Sequence, residues 1–144
     1  MLVQENKSVL SLRIPVKVRF SEVDSLKMVW HGNYVKYLED GREAFGEKFG
    51  LEYMYMYNSG YVAPIVDMQL KYYQSAKIGE NIIVEITYIP SRSAKIIFDY
   101  SIYRESDNAL LTTARTIQLF QTLEGIFEVS NPDFFLEWKN KWNI

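Results

Sequence analysis

At 144 residues the chain is long enough to enclose a core of ordinary domain size, and its 48% hydrophobic, 24% charged composition excludes a disordered or fibrous protein. A formal net charge of −2 leaves no basic excess for a nucleic acid. The absence of cysteine and the presence of a single histidine, His31, exclude thiolate nucleophiles, iron–sulfur clusters and any zinc site needing two imidazoles from one chain.

The opening stretch, MLVQENKSVL, lacks the basic start and apolar centre of a secretory signal. No apolar run reaches the roughly 20 residues that span a bilayer. The cytoplasm is therefore the expected location, with neither membrane nor nucleic acid as a partner. Residues 13–20 alternate, with Ile14, Val16, Val18 and Phe20 on one face and Arg13, Lys17 and Arg19 on the other, which predicts a half-buried strand. Pro15 has no N–H to donate and suits a sheet edge. Residues 21–31 break the period and read as a loop.

From Asn33 to Phe49 the period becomes helical. Tyr34, Tyr37, Leu38, Gly41, Phe45 and Phe49 recur at spacings of three and four and form one apolar stripe. Gly41 inside that stripe predicts close backbone approach, and Gly50 suits the left-handed position beyond the helix end. A short helical or irregular piece (51–58) precedes four predicted strands, at 62–73, 81–89, 94–104 and 109–121. Ile82, Val84, Ile86 and Tyr88 share a face of the second, and Ile96, Phe98, Tyr100 and Ile102 a face of the third. Turn residues separate them at 79–80, 90–91 and 106–108. A last helix is expected from Asn131 as cap, with Pro132 in its first turn and Phe135, Trp138 and Trp142 buried. There is no repeat or linker, so residues 1–144 read as a single domain. Five strands with one long helix predict an α+β architecture, an antiparallel sheet wrapped around that helix.

Chemistry concentrates in residues 19–43, RFSEVDSLKMVWHGNYVKYLEDGRE. Asp24 lies on the loop, His31 follows seven residues later, and Asn33-Tyr34 opens the helix, with Trp30 as a preceding aromatic. In these residues the chain resembles the 4-hydroxybenzoyl-CoA thioesterase-like branch of the hotdog superfamily, which includes Tol–Pal-associated short-chain acyl-CoA thioesterases. The order of elements agrees along nearly the whole chain, whereas motif identity is confined to this loop and helix start. One departure is the small pair, often Ala-Gly, that the family places two and three positions after the aspartate; here it is Leu26-Lys27.

The resemblance implies hydrolysis of an acyl-CoA or acyl-carrier-protein thioester, with Asp24 as nucleophile or general base and the backbone N–H at position 31 as oxyanion donor. It makes the His31 side chain a second catalytic candidate. Trp30, Asn33 and Tyr34 become substrate contacts, although Tyr34 and Tyr37 also sit on the apolar stripe. Arg92 and Lys95, in the 91–95 turn, become partners for coenzyme A phosphates. Glu39 and Glu43 are reserve carboxylates, because another branch of the superfamily draws its carboxylate from the central helix. No metal or redox cofactor is implied, and coenzyme A enters only as part of the substrate. The expected assembly is a homodimer or homotetramer with the site at the subunit seam. The chemistry is intelligible by itself: a carboxylate can attack or activate water, and the first amides of a helix can hold an oxyanion. Two other functions remain open on the same residues, a non-catalytic acyl-thioester-binding module and an acyl-thioester hydratase or dehydratase.

Overall fold

The computed structural model describes residues 9–144, so most of the stretch read for a secretory signal lies outside the described residues. Its elements, in chain order, are β1 (Ser11–Lys17), α1 (Tyr34–Phe49), α2 (Tyr53–Asn58), β2 (Tyr61–Val62), β3 (Ile65–Tyr72), β4 (Asn81–Ile89), β5 (Lys95–Arg104), β6 (Leu110–Leu119), β7 (Gln121–Thr122) and α3 (Asp133–Trp142). The alternating segments pair as an antiparallel five-stranded sheet in the order β1-β4-β5-β6-β3. β1 is an edge, where Pro15 sacrifices no ladder bond.

One face of the sheet is apolar and closes on α1. Ile82, Val84, Ile86 and Tyr88 of β4 are at most 2% exposed, and Ile96, Phe98, Tyr100 and Ile102 of β5 at most 3%. Each such aliphatic side chain contributes about 1.5–3 kcal/mol when fully buried. The stripe of α1 meets them: a Cβ added to Gly41 would stand 3.1 Å from Val84 Cγ1, so the helix approaches β4 as closely as a missing side chain permits. Phe45 packs edge-on against Phe98 with ring centres 4.8 Å apart. α3 covers the remaining end, and the Trp138 and Trp142 indoles both donate to the Phe49 carbonyl, closing the C-terminus of α1. Gly50 follows in the left-handed region at φ 77°.

Four expectations are corrected. Phe20 does not continue the buried face of β1; it is 81% exposed in a 3-10 turn at Phe20–Glu22, because the chain leaves the sheet after Lys17. The strand expected over 62–73 is broken at Ala63-Pro64, and the one over 109–121 at Phe120. The detached pieces, β2 and β7, pair as a separate two-stranded ribbon. The cap of α3 is Pro132 rather than Asn131, whose side-chain amide donates instead to the Arg92 carbonyl. Among the described residues no helix is long and apolar enough to cross a membrane.

Candidate active site

The loop between β1 and α1 is held from three sides. Along the β3–β4 connection, the Val18 N–H donates to the Glu80 carbonyl and the Val18 carbonyl accepts the Gly79 N–H, the Val29 N–H donates to the Ala76 carbonyl, and the Ile78 N–H donates to the Lys27 carbonyl. On the helix side the anchor is Glu22, a carboxylate only 4% exposed. Its Oε1 accepts the Arg19 N–H at 2.8 Å and the Tyr37 hydroxyl at 3.1 Å, while Lys36 Nζ stands 3.4 Å from Oε2. The Glu22 carbonyl accepts the Trp30 N–H and the Asn33 side-chain amide. Burial, and then the adjacent Glu22 carboxylate, push the Tyr37 hydroxyl well above its ordinary pKa, so it remains a donor. Sequence reasoning missed Glu22. The signal available was an acidic residue that the helix stripe would face from the loop, but no periodicity marks it.

Asp24 lies at the outer turn of this loop and is exposed. Its Oδ1 accepts the Leu26 N–H at 2.8 Å and the Met28 N–H at 3.3 Å. Among the described residues Oδ2 has no partner. Lys27 takes φ 61°, so the left-handed turn for which a glycine is usual is made here by a lysine. The substitution leaves the loop conformation possible at a cost of roughly 1–2 kcal/mol.

Seven residues on, a 3-10 turn at His31–Asn33 runs directly into α1. The His31 and Gly32 N–H groups donate to nothing among the described residues, and they sit at the positive end of the helix. The Tyr72 hydroxyl donates to the His31 carbonyl at 2.9 Å and so fixes that peptide from below. The Trp30 ring lies against the His31 imidazole, centres 4.8 Å apart, and over Gly32, where any Cβ would fall 2.1 Å from the indole. Gly32 and Tyr72 are therefore parts of the site that the motif did not show.

Asp24, Trp30, His31 and Asn33 thus share one loop and helix start. Tyr34 does not face solvent there: it is 2% exposed, and its hydroxyl accepts the Ala76 N–H at 3.0 Å, with burial raising its pKa. Its placement is that of a core residue that ties α1 to the β3–β4 connection. Arg92 and Lys95 are not brought to Asp24 within one chain. The register pairs Lys17 with Asn81, so the loop leaves the sheet at the start of β4, whereas Arg92 and Lys95 follow its end. Nine residues of strand, about 30 Å, separate the two.

Beside α1, past its first turn, a cavity of about 720 Å³ opens between the helix, α2 and the sheet. Glu39, Arg42 and Glu43 line its helix wall, Ile96, Phe98 and Gln118 its sheet wall. Arg42 is paired with Glu39. Asp24 does not reach this cavity.

Residues 18–138 match the model of the thioesterase-like superfamily. The chain belongs to that superfamily. Among curated relatives, the Bacillus subtilis (strain 168) protein named "Putative acyl-CoA thioesterase YneP" is 31% identical over 61% of this chain and 64% of its own. An acyl-acyl carrier protein thioesterase of Arabidopsis thaliana, ATL3, is 24% identical over 74% of this chain and 56% of its own. The chain therefore spans less than two thirds of the length of these relatives. Among solved structures of the same fold, the DHNA-CoA thioesterase of Staphylococcus aureus superposes with a TM-score of 0.81 at 23% identity, covering 92% of this chain and 91% of that one. The 4-hydroxybenzoyl-CoA thioesterase of Pseudomonas sp. strain CBS-3 does so at 0.77 and 21%, covering 89% and 98%. Superfamily and hotdog fold are thereby shown.

Proposed function

We propose that this thioesterase-superfamily chain hydrolyses an acyl-CoA thioester, with Asp24 as the reacting carboxylate. The observation that carries the reading is the pairing of a fixed, solvent-facing carboxylate with two unclaimed N–H groups at the start of a long helix. The thioester carbonyl oxygen accepts the His31 N–H, and Asp24 Oδ2 either attacks the carbonyl carbon or takes a proton from the attacking water. The C–S bond then breaks and the thiolate leaves; where Asp24 has attacked, a water next hydrolyses the acyl anhydride formed on it, and in either case that one water supplies the new oxygen of the acid and the proton that makes the free thiol. An oxyanion donor of this kind contributes on the order of 3 kcal/mol to the transition state. Trp30 and Asn33 shape the loop around the thioester, and coenzyme A enters as part of the substrate with no metal or redox cofactor required. The name of the Arabidopsis relative supports an acyl carrier protein as a further thiol carrier. The cytoplasm suits such a substrate.

A second reading has one observation in its favour: Glu39 and Glu43, on the helix, line the cavity that Asp24 does not reach. A panel of acyl-CoA thioesters followed by free-thiol release separates the two. Asp24→Asn keeps the Oδ1 acceptor and should lose at least 100-fold in turnover with its thermal midpoint unchanged. Loss confined to Glu43→Gln or Glu39→Gln would move the reaction to the helix, and binding without turnover in the wild type would make the chain a binding module. Appearance of an enoyl product would identify a hydratase.

A further inference from the structure

Tyr72 lies on β3, where the period of two puts it on the same face as Leu70, the face that packs against the core. Its cross-strand partner on β6 is Thr112, which is fully buried. β3 is the last strand of the sheet, and from this edge the tyrosine reaches the start of α1. There its ring meets the Tyr34 ring edge-on, centres 5.2 Å apart, and its hydroxyl donates to the His31 carbonyl at 2.9 Å.

That carbonyl and the Gly32 N–H belong to one peptide plane, and in a trans peptide they point in opposite directions. Holding the carbonyl therefore aims the N–H. The peptide before it, which carries the His31 N–H, is held within the turn, because the Trp30 carbonyl accepts the Asn33 N–H at 2.8 Å. The His31 carbonyl likewise accepts the Tyr34 N–H, but it also takes a second donor from a strand 41 residues away. Hydrogen bonds in series polarise one another, so a donor on the carbonyl makes the N–H of the same amide a stronger donor. The Trp30 indole over Gly32 leaves no room for a side chain, and only backbone is presented there. Neither the His31 nor the Gly32 N–H has a partner among the described residues, and successive N–H groups in the first turn of a helix point the same way along its axis.

We propose that Tyr72 is a positioning residue for the thioester reaction: by donating to the His31 carbonyl it aims and polarises the Gly32 N–H, which joins the His31 N–H on the thioester carbonyl oxygen. This rests on the thioesterase reading above. Two donors on one oxygen divide the charge that develops there, and the one backed by Tyr72 is tuned by the strength of the phenol as a donor.

Loss of a whole oxyanion donor costs about 100- to 1000-fold in kcat, and weakening one costs less. Tyr72→Phe keeps the ring against Tyr34 and removes only the hydroxyl. Its kcat on an acyl-CoA thioester should fall about tenfold, with KM within about twofold of the wild type and the thermal midpoint nearly unchanged. With 3-fluorotyrosine in its place, whose hydroxyl is the stronger donor, kcat should equal or exceed the wild-type value. A merely structural contact would not follow donor strength. A Tyr72→Phe kcat within about twofold of the wild type would overturn the proposal, and so would a loss that the fluorinated protein shares.

Where Tyr72→Phe does not fold, or no thioester is turned over, the Gly32 amide resonance decides, read in protein labelled at the glycine nitrogens. The probe is an acyl-CoA analogue with a methylene in place of the thioester sulfur, whose ketone oxygen stands in for the thioester oxygen. It should move the Gly32 N–H downfield in the wild type, and further in the fluorinated protein. A signal that stays in place, or moves equally in both, refutes the role. If thioesters are untouched while the analogue still moves Gly32 in that order, the hydrolysis reading fails and the positioning of the amide by Tyr72 stands.

Discussion

Asp24 commits one oxygen to two backbone amides and leaves the other unpartnered among the described residues, an arrangement that holds the carboxylate still and, on the proposed reading, leaves that second oxygen for the thioester. His31 contributes differently. Its imidazole lies against Trp30, while its carbonyl is tied to Tyr72 and its N–H has no partner among the described residues. Alanine at position 31 retains that N–H. His31→Ala should therefore cost less than tenfold in kcat, against at least 100-fold for Asp24→Asn, in thiol-release assays run side by side. Equal losses would make the imidazole itself catalytic. Asp24, Trp30, His31 and Asn33, the candidates the resemblance marks, could be placed together on one loop and helix start from the sequence because their spacing is local. Gly32 was not legible as a site residue, since its need arises only when the Trp30 ring folds back over it.

The element that decides the geometry is the junction of loop and α1. Its pin is Glu22, which gathers the Arg19 amide, the Tyr37 hydroxyl and the Lys36 ammonium. Glu22→Ala leaves a buried tyrosine hydroxyl and an amide unpaired. It should destabilise the fold by about 2–3 kcal/mol and lower the thermal midpoint by roughly 5–10 °C. Glu22→Gln keeps an acceptor oxygen and should lose less. Activity should fall in Glu22→Ala even at temperatures where the protein is fully folded, because the loop carrying Asp24 loses its attachment to the helix; calorimetry and turnover on the same samples check both. The helix was legible over 33–49 because its stripe keeps one period for four turns. The breaks at Ala63-Pro64 and Phe120 were not, because each marks a change of pairing partner, a relation to distant strands that local spacing does not carry.

At the scale of the whole molecule, the eight-residue β3 ends the sheet with a neighbouring strand on one side only, and Val66 and Tyr72 on it are 48% and 49% exposed. Asp24 likewise opens to solvent, without a second surface to exclude water from a thioester carbonyl. A second copy related by a two-fold axis would cover both, and is the only route by which Arg92 and Lys95 could approach an acyl group held near Asp24. We expect a homodimer or homotetramer by light scattering. Asp24→Asn mixed with an Arg92→Ala/Lys95→Ala variant under subunit exchange should recover part of the lost activity, since some mixed sites contain both intact halves. A fully active monomer would refute a shared site.

Local spacing in the chain by itself determined the three alternating segments at 13–20, 81–89 and 94–104, the long amphipathic helix and the position of the loop carboxylate, because each is a relation between residues a few places apart. The superfamily was legible only as a resemblance, carried by the residues of that loop and helix start, and the family match over residues 18–138 shows it. Tertiary structure alone decided which polar groups near the loop are left unpartnered among the described residues and which are spent. Tyr34 gives its hydroxyl to Ala76, 42 residues away, and Gln118 gives its amide to Ala63, 55 residues away. Neither partner has any periodic relation to the residue it satisfies. Whether a polar side chain is left free depends on which distant backbone group the packed sheet brings within hydrogen-bond reach.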